Sequence, residues 1–321
     1  MGNFFTSLFS SDKPEKEEEE KEKEAEKNFD ILKYDGVRAL RMRKINYAIK
    51  CFTEALNIQE DLETMGYLVN AYTTMNELEK AEEILNRMVE LEPDRVEVRL
   101  SRAHLLFMED KDSEVITDCQ KVIELDPSNV IAYSLQAKAK RTLNDPLGAL
   151  ADLTKAISLK EDFADAYLQR ADVLLRMGQA WKALPDAEKA IELVPEDETA
   201  YVLKGRIQLA CGAAEEAYAC FLHAMERNPF NEEAVLLYGQ SLIDQGKYDE
   251  AIVFFDDAIE TNPSFAKAYS ERGRVKNLKG DKEGALADLK KSLELDPESE
   301  VAKRMEGQHT NFEDMYKGGI Y

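Results

Sequence analysis

The sequence predicts an all-α fold, a right-handed α-solenoid of about eight helix-turn-helix repeats, on three observations. Pro93, Pro127, Pro195, Pro229, Pro263 and Pro297 lie on one 34-residue grid, with Glu161 at the empty grid point. Counted from the first residue of each repeat, the eighth position reads Gly36, Val69, Ala103, Ala137, Ala171, Gly205, Gly239 and Gly273. The twentieth reads Ala48, Ala81, Val115, Ala149, Ala183, Ala217, Ala251 and Ala285. Small residues at both places let two antiparallel helices approach closely, and a bulky one would overpack by roughly 1–3 kcal/mol. The third observation is the turn between the two helices. Gly178, Gly212, Gly246 and Gly280 recur there, replaced elsewhere by Asn76, Asp110 and Asn144, the residue types that best tolerate a left-handed backbone. A period of this length marks a stack in which each hairpin buries its apolar side against its neighbours.

Further agreement in the same register carries a family resemblance. Tyr133, Tyr167, Tyr201 and Tyr269 hold the fourth position, Ala55, Ala156, Ala190, Ala224 and Ala258 the twenty-seventh, and a proline closes most repeats. In this pattern residues 29–299 resemble the tetratricopeptide repeat family. The resemblance implies paired helices whose first members line a concave, peptide-capturing groove. It implies a scaffold but no particular partner, because one fold carries many sites.

Along the chain, residues 1–11 place Phe4, Phe5, Leu8 and Phe9 on one helical face. Two readings fit: a docking segment for a membrane surface or a protein, or an end that rests on the first repeat. Residues 1–6 also match the N-myristoylation pattern at Gly2, which depends on a eukaryotic transferase. Residues 12–27 form a Glu/Lys tract, read as a solvated helix supported by pairs such as Glu17 with Lys21, or as a disordered spacer. The repeat region is 28–299, with repeats starting near 29, 62, 96, 130, 164, 198, 232 and 266. In the fifth repeat, Pro185 should delay or bend the second helix, and Trp181 is expected to swing inward over the space left by Ala180. Residues 300–321 supply a capping helix carrying Val301 and Met305, then an aromatic tail. That tail is open to three roles: a linear motif, a self-ligand lying in the groove, or a loose end.

Composition narrows the function. Hydrophobic residues make up 44% of the chain, enough for a sizeable core, and the formal net charge is −22. Such a charge repels phosphate backbones, and no long Lys/Arg run offsets it, so nucleic acid is not an expected partner. No apolar run is long enough to span a bilayer, and no secretory signal pattern is present. The expected location is cytoplasmic, with membrane association only through the N-terminal face. Cys51, Cys119, Cys211 and Cys220 follow no metal-ligand spacing and read as buried or half-buried thiols. His104, His223 and His309 lie far apart, and no phosphate loop, HExxH or GxSxG motif occurs. The expectation is a non-enzymatic, cofactor-free adaptor that binds a peptide segment of a protein partner. The alternative is a membrane-peripheral assembly factor recruited by Phe4, Phe5, Leu8 and Phe9.

Two residue sets stand out. Arg102, Arg170 and Arg272 at the seventh position are each followed sixteen residues later by an aspartate, Asp118, Asp186 and Asp288. Across an antiparallel hairpin this spacing predicts structural ion pairs rather than a catalytic acid and base. The second set faces away from the partner helix at about 100° per residue. It comprises Asn70, His104, Lys138, Arg141, Arg176, Arg206, Gln240 and Arg274, flanked by Leu168, Leu175, Val202, Leu209, Leu236 and Ile243. One reading is a groove for an apolar peptide with acidic or carboxylate ends. The other pairs the arginines with Asp172, Asp165, Glu233 and Asp244 and spends the apolar residues on stacking. The family's clamp for chaperone tails is not met, since Val37 follows Lys33 where an asparagine is required.

Overall fold

A computed structural model describes residues 12–298, with side chains described from residue 19. The described residues form sixteen α-helices and no strand. The N-terminal half, residues 1–160, contains α1 (Asp12–Arg41), α2 (Ile45–Ile58), α3 (Leu62–Thr74), α4 (Leu78–Leu91), α5 (Val96–Met108), α6 (Asp112–Leu125), α7 (Val130–Thr142) and α8 (Pro146–Leu159). The C-terminal half, residues 161–321, contains α9 (Ala164–Arg176), α10 (Ala180–Leu193), α11 (Glu198–Ala210), α12 (Ala214–Arg227), α13 (Glu232–Asp244), α14 (Tyr248–Thr261), α15 (Ala266–Leu278) and α16 (Lys282–Leu295). Within each half the helices pair as hairpins, and each hairpin packs on the next.

Helix starts follow from local chemistry. Asp61, Asn129, Asp197 and Asn231 accept the backbone amides of Thr64, Ala132, Thr199 and Ala234, at 2.8, 3.1, 3.0 and 2.9 Å. Each bond satisfies an amide that has no partner inside its helix. The turns within the hairpins are left-handed, with φ of 71° at Gly178 and 72° at Gly246. Asn76, Asp110 and Asn144 adopt the same conformation, and so does Arg43, which has no local side-chain bond to favour it.

The core lies between the paired helices. The fully buried Phe52, Leu85, Leu153, Phe221 and Phe255 all occupy the twenty-fourth position. Their size is matched across the hairpin at the eighth. A Cβ on Gly36, Gly205 or Gly239 would run into the ring of Phe52, Phe221 or Phe255. Where the eighth residue is Ala103, Ala137 or Ala171, the facing residue shrinks to Cys119, Leu153 or Ala187. Val69 facing Leu85 and Gly273 facing Leu289 depart from this match, so close packing sets a tendency and not a fixed pairing.

Three expectations need comment. The Glu/Lys tract is helical, and it is continuous with the first helix of the first repeat, since α1 runs unbroken from Asp12 to Arg41. Residues 19–28 of it are exposed on every side. Pro185 does not delay α10, which starts at Ala180 and keeps the 14 residues of its counterparts. Trp181 does not fill the space beside Ala180: it is 71% exposed with the Lys182 ammonium 5.2 Å from its ring centre, while Ala180 is buried. One residue along a helix is a rotation of about 100°, so a side chain next to the inward Ala180 is carried outward.

Candidate functional site

The away-facing positions come together through the ninth residue of successive repeats. Arg274 donates through Nη2 to Oε1 of Gln240, its equivalent one repeat earlier. In the N-terminal half, shielding by the surrounding chain lowers the His104 pKa, and the charge of Lys138, again one repeat on, lowers it further. Asn70 and His104 are exposed, and Lys138 and Arg141 are partly so. Each half therefore carries a row of polar groups along its first helices, one per repeat except the first, where Val37 holds the ninth position.

In the C-terminal half that row is electrically satisfied by the chain itself. Arg176 Nε lies 2.9 Å from Asp172, Arg206 Nη1 3.4 Å from Glu233, and Arg274 Nη2 2.7 Å from Glu271. Gln240 donates to Asp244 at 2.5 Å. The flanking apolar residues are divided. Val202 and Ile243 are buried in the stack, Leu168, Leu175 and Leu236 are half-buried, and Leu209 is exposed.

The N-terminal half holds a cleft that the sequence reading passed over. It measures about 440 Å³ and is lined by Lys33, Tyr34, Val37, Arg38, Arg41, Glu63 and Tyr67. Lys33 Nζ reaches Asp61 at 2.9 Å and Glu63 at 2.7 Å, and the Tyr67 hydroxyl donates to Glu63 at 2.8 Å. Burial works to lower the Lys33 pKa, but the bonds from Glu63 and Asp61 outweigh it and the pKa is raised. The Glu63 pKa is lowered, first by the Lys33 bond and then by Tyr67. Tyr67 is held from behind by Phe52, the rings 5.6 Å apart and stacked. Arg38 and Arg41 remain at the surface, Arg38 at 3.9 Å from Asp35 with its side chain 75% exposed, and Tyr34 is 67% exposed. The sequence signal was present: Arg38, Arg41, Arg43 and Lys44 crowd four cations into seven residues of a strongly acidic chain. It is too short to register as a basic run.

The seventh-position residues form tie bars across the hairpins. Arg102 grips Asp118 at 2.7 Å through both Nε and Nη2, Arg170 grips Asp186 at 2.7 Å in the same way, and Arg272 grips Asp288 at 2.9 and 2.5 Å. Such two-point contacts fix orientation as well as distance. Two of the arginines also reach back to the preceding hairpin, Arg102 to Asn86 at 2.9 Å and Arg272 to Asp256 at 2.6 Å. Gln136 and Lys140 share Asp152 in α7–α8, and Lys204 bonds to Glu188 of the preceding hairpin at 3.1 Å. Cys51, Cys119 and Cys220 are buried free thiols, and burial pushes Cys119 up to about 12. Cys211 departs from the expectation and is exposed at the end of α11. Phe4, Phe5, Leu8 and Phe9, Gly2, and the cap and tail from 300 to 321 lie outside the described residues.

Repeat register, hairpin geometry and comparison with known proteins converge. Tetratricopeptide repeat models match residues 67–95 and 236–300, and the model of anaphase-promoting complex, cyclosome, subunit 3 matches residues 183–258. The chain is a tetratricopeptide repeat protein. No curated protein matches the sequence. Among solved structures, the APC/C hetero-tetramer Cut9-Hcn1 aligns at 18% identity and TM-score 0.57, over 86% of this chain and 55% of that one. A tetratricopeptide repeat protein from Parabacteroides merdae aligns at 18% identity and TM-score 0.58, over 76% and 96%. PilF of Pseudomonas aeruginosa aligns at 17% and 0.55, over 66% and 96%. At these identities the likeness is one of fold. The tetratricopeptide fold is that of a protein-interaction scaffold, and no described helix is long and apolar enough to cross a membrane.

Proposed function

We propose that this tetratricopeptide repeat protein is a non-enzymatic adaptor that holds an extended peptide segment of a protein partner along the away-facing side of its first helices. An acidic group of that segment sits over Arg38 and Arg41, and its apolar side chains lie against Tyr34, Val37 and Tyr67. The observation that carries this reading is the cleft over α1 and α3, where exposed guanidinium groups and aromatic rings face one open space. Cations on a chain of net charge −22 give anions one place to settle where the surrounding field would otherwise turn them away. The row through Asn70, His104 and Lys138 continues the same face and offers neutral and basic groups to the segment's backbone. Arg206 and Arg274 contribute less, because a bound carboxylate would have to displace Glu233 or Glu271.

The test is affinity capture on the full chain with identification of the bound protein, followed by charge reversal. Arg38→Glu with Arg41→Glu should abolish capture of that protein while circular dichroism stays unchanged. Arg206→Glu with Arg274→Glu should weaken it little. Capture that survives the first pair, or that fails equally with both, sinks the assignment.

A further inference from the structure

The hairpin α13–α14 carries two aromatic rings at the positions where three other hairpins carry the charged tie bar, and a second surface opens beside them. At the seventh and twenty-third positions α13–α14 carries Tyr238 and Phe254, whose rings meet edge to face with centres 5.0 Å apart. Phe254 leans in turn on the buried Phe255, 5.6 Å away. Beside these rings is a cleft of about 420 Å³, lined by Tyr238, Leu242, Val253 and Phe254 and rimmed by Asp249, Glu250 and Asp257. Val253 is 58% exposed, and all three carboxylates are exposed. Glu250, Val253, Phe254 and Asp257 fall at i, i+3, i+4 and i+7, so α14 presents one stripe of acid, aliphatic, aromatic and acid. The rim already holds one ammonium of this chain, since Lys279 pairs with Asp249. Glu250 and Asp257 have no ion-pair partner among the described residues.

We propose that this cleft docks a short basic segment of a protein partner. A lysine or arginine of that segment lays its stem over Tyr238 and Phe254 and sets its charge between Glu250 and Asp257, while a neighbouring aliphatic side chain covers Val253. A ring face attracts a cation and a carboxylate rim fixes it, so the arrangement selects a cationic side chain with an apolar stem. An acidic segment would meet three carboxylates with no compensating cation apart from Lys279. Tyr238 and Leu242 hold the seventh and eleventh positions, off the away-facing rows, so this contact shares no residue with the cleft over α1 and α3.

Fluorescence anisotropy on the purified full chain, with a labelled peptide of alternating lysine and leucine, tests the assignment. Attraction of any basic peptide to an acidic chain has to be separated out. Glu250→Lys with Asp257→Lys is therefore compared with Glu215→Lys with Glu216→Lys on α12, which shifts the net charge equally and also touches a first helical turn. The first pair should weaken binding about tenfold or more, and the second by about twofold at most. Phe254→Leu, which keeps an apolar floor without the ring, should weaken it severalfold with helical content retained. Equal loss from the two charge reversals, or equal affinity for a glutamate–leucine peptide, overturns the proposal.

Discussion

Asp61 and Asp112 stand at the starts of two helices in the N-terminal half, and their surroundings push their titration in opposite directions. Burial works to raise the Asp61 pKa, but the Thr64 hydroxyl, the Lys33 ammonium and the Thr64 amide together hold it below the ordinary value. A depressed folded-state pKa contributes stability that is present above the unfolded value, about 3.9, and is lost as pH falls through the folded one. For Asp112, burial raises the pKa and the charge of Asp110 adds to it, and Oδ1 finds no hydrogen-bond partner among the described residues. A raised carboxylate pKa costs stability above the folded value, and the cost fades as pH falls toward the unfolded one. Asp61→Asn should therefore lower the urea midpoint at pH 7 and converge on the parent only below about pH 4. Asp112→Asn should raise the midpoint at pH 7 and lose that gain by about pH 4. Two pH-independent shifts would contradict both assignments. Neither environment can be read from the chain, because the partner of Asp61 is 28 residues away in another hairpin and the burial of Asp112 depends on packing. The tie bars could be read, because a constant hairpin length turns one contact into a recurring spacing of sixteen.

At the scale of the hairpin, the pairing of eighth and twenty-fourth residues sets how near two helices come. Gly239→Ala should destabilise by roughly 1–3 kcal/mol, since the new methyl meets the Phe255 ring on a backbone that cannot retreat. Adding Phe255→Leu should recover part of that loss by restoring the Ala137 and Leu153 arrangement of α7–α8, and a double-mutant cycle in urea measures the coupling. Simple additivity would show that the two positions do not share the space. The tie bars invite a parallel experiment in α9–α10. Arg170→Met strands Asp186, whose side chain is almost buried, and should cost about 1–3 kcal/mol. Arg170→Tyr with Asp186→Phe copies α13–α14 and should cost less than the single change, because two rings need no charged partner. A double variant weaker than the single would mean that the surrounding hairpin, not the pair, decides what fits. Trp181 marks the limit of the sequence at this scale. The repeat register assigns it a position beside the turn, but its direction follows from the helix phase, in which Ala180 and not Trp181 faces inward.

For the whole molecule, the period of 34 residues was enough to read hairpins and their order, because a repeat fixes which helix pairs with which. Charge is the property that acts at this scale. The chain carries 64 acidic against 42 basic side chains, and compaction brings the excess together. Salt acts on two opposing quantities. It weakens exposed ion pairs such as Arg87 with Glu60, and it screens the long-range repulsion among the unpaired carboxylates. The screening length falls from about 30 Å at 0.01 M to about 8 Å at 0.15 M, so repulsion between hairpins is removed over that range while contacts of 3–4 Å are only partly weakened. The tie bars, shielded from solvent, change least. The melting temperature should therefore rise between 10 and 150 mM sodium chloride and level off above it. A steady fall over the same range, followed by circular dichroism at 222 nm, would show that the surface pairs outweigh the repulsion. In that case the acidity of the chain is neutralised locally, as it is for Arg206 and Arg274, rather than spread as a field over the molecule.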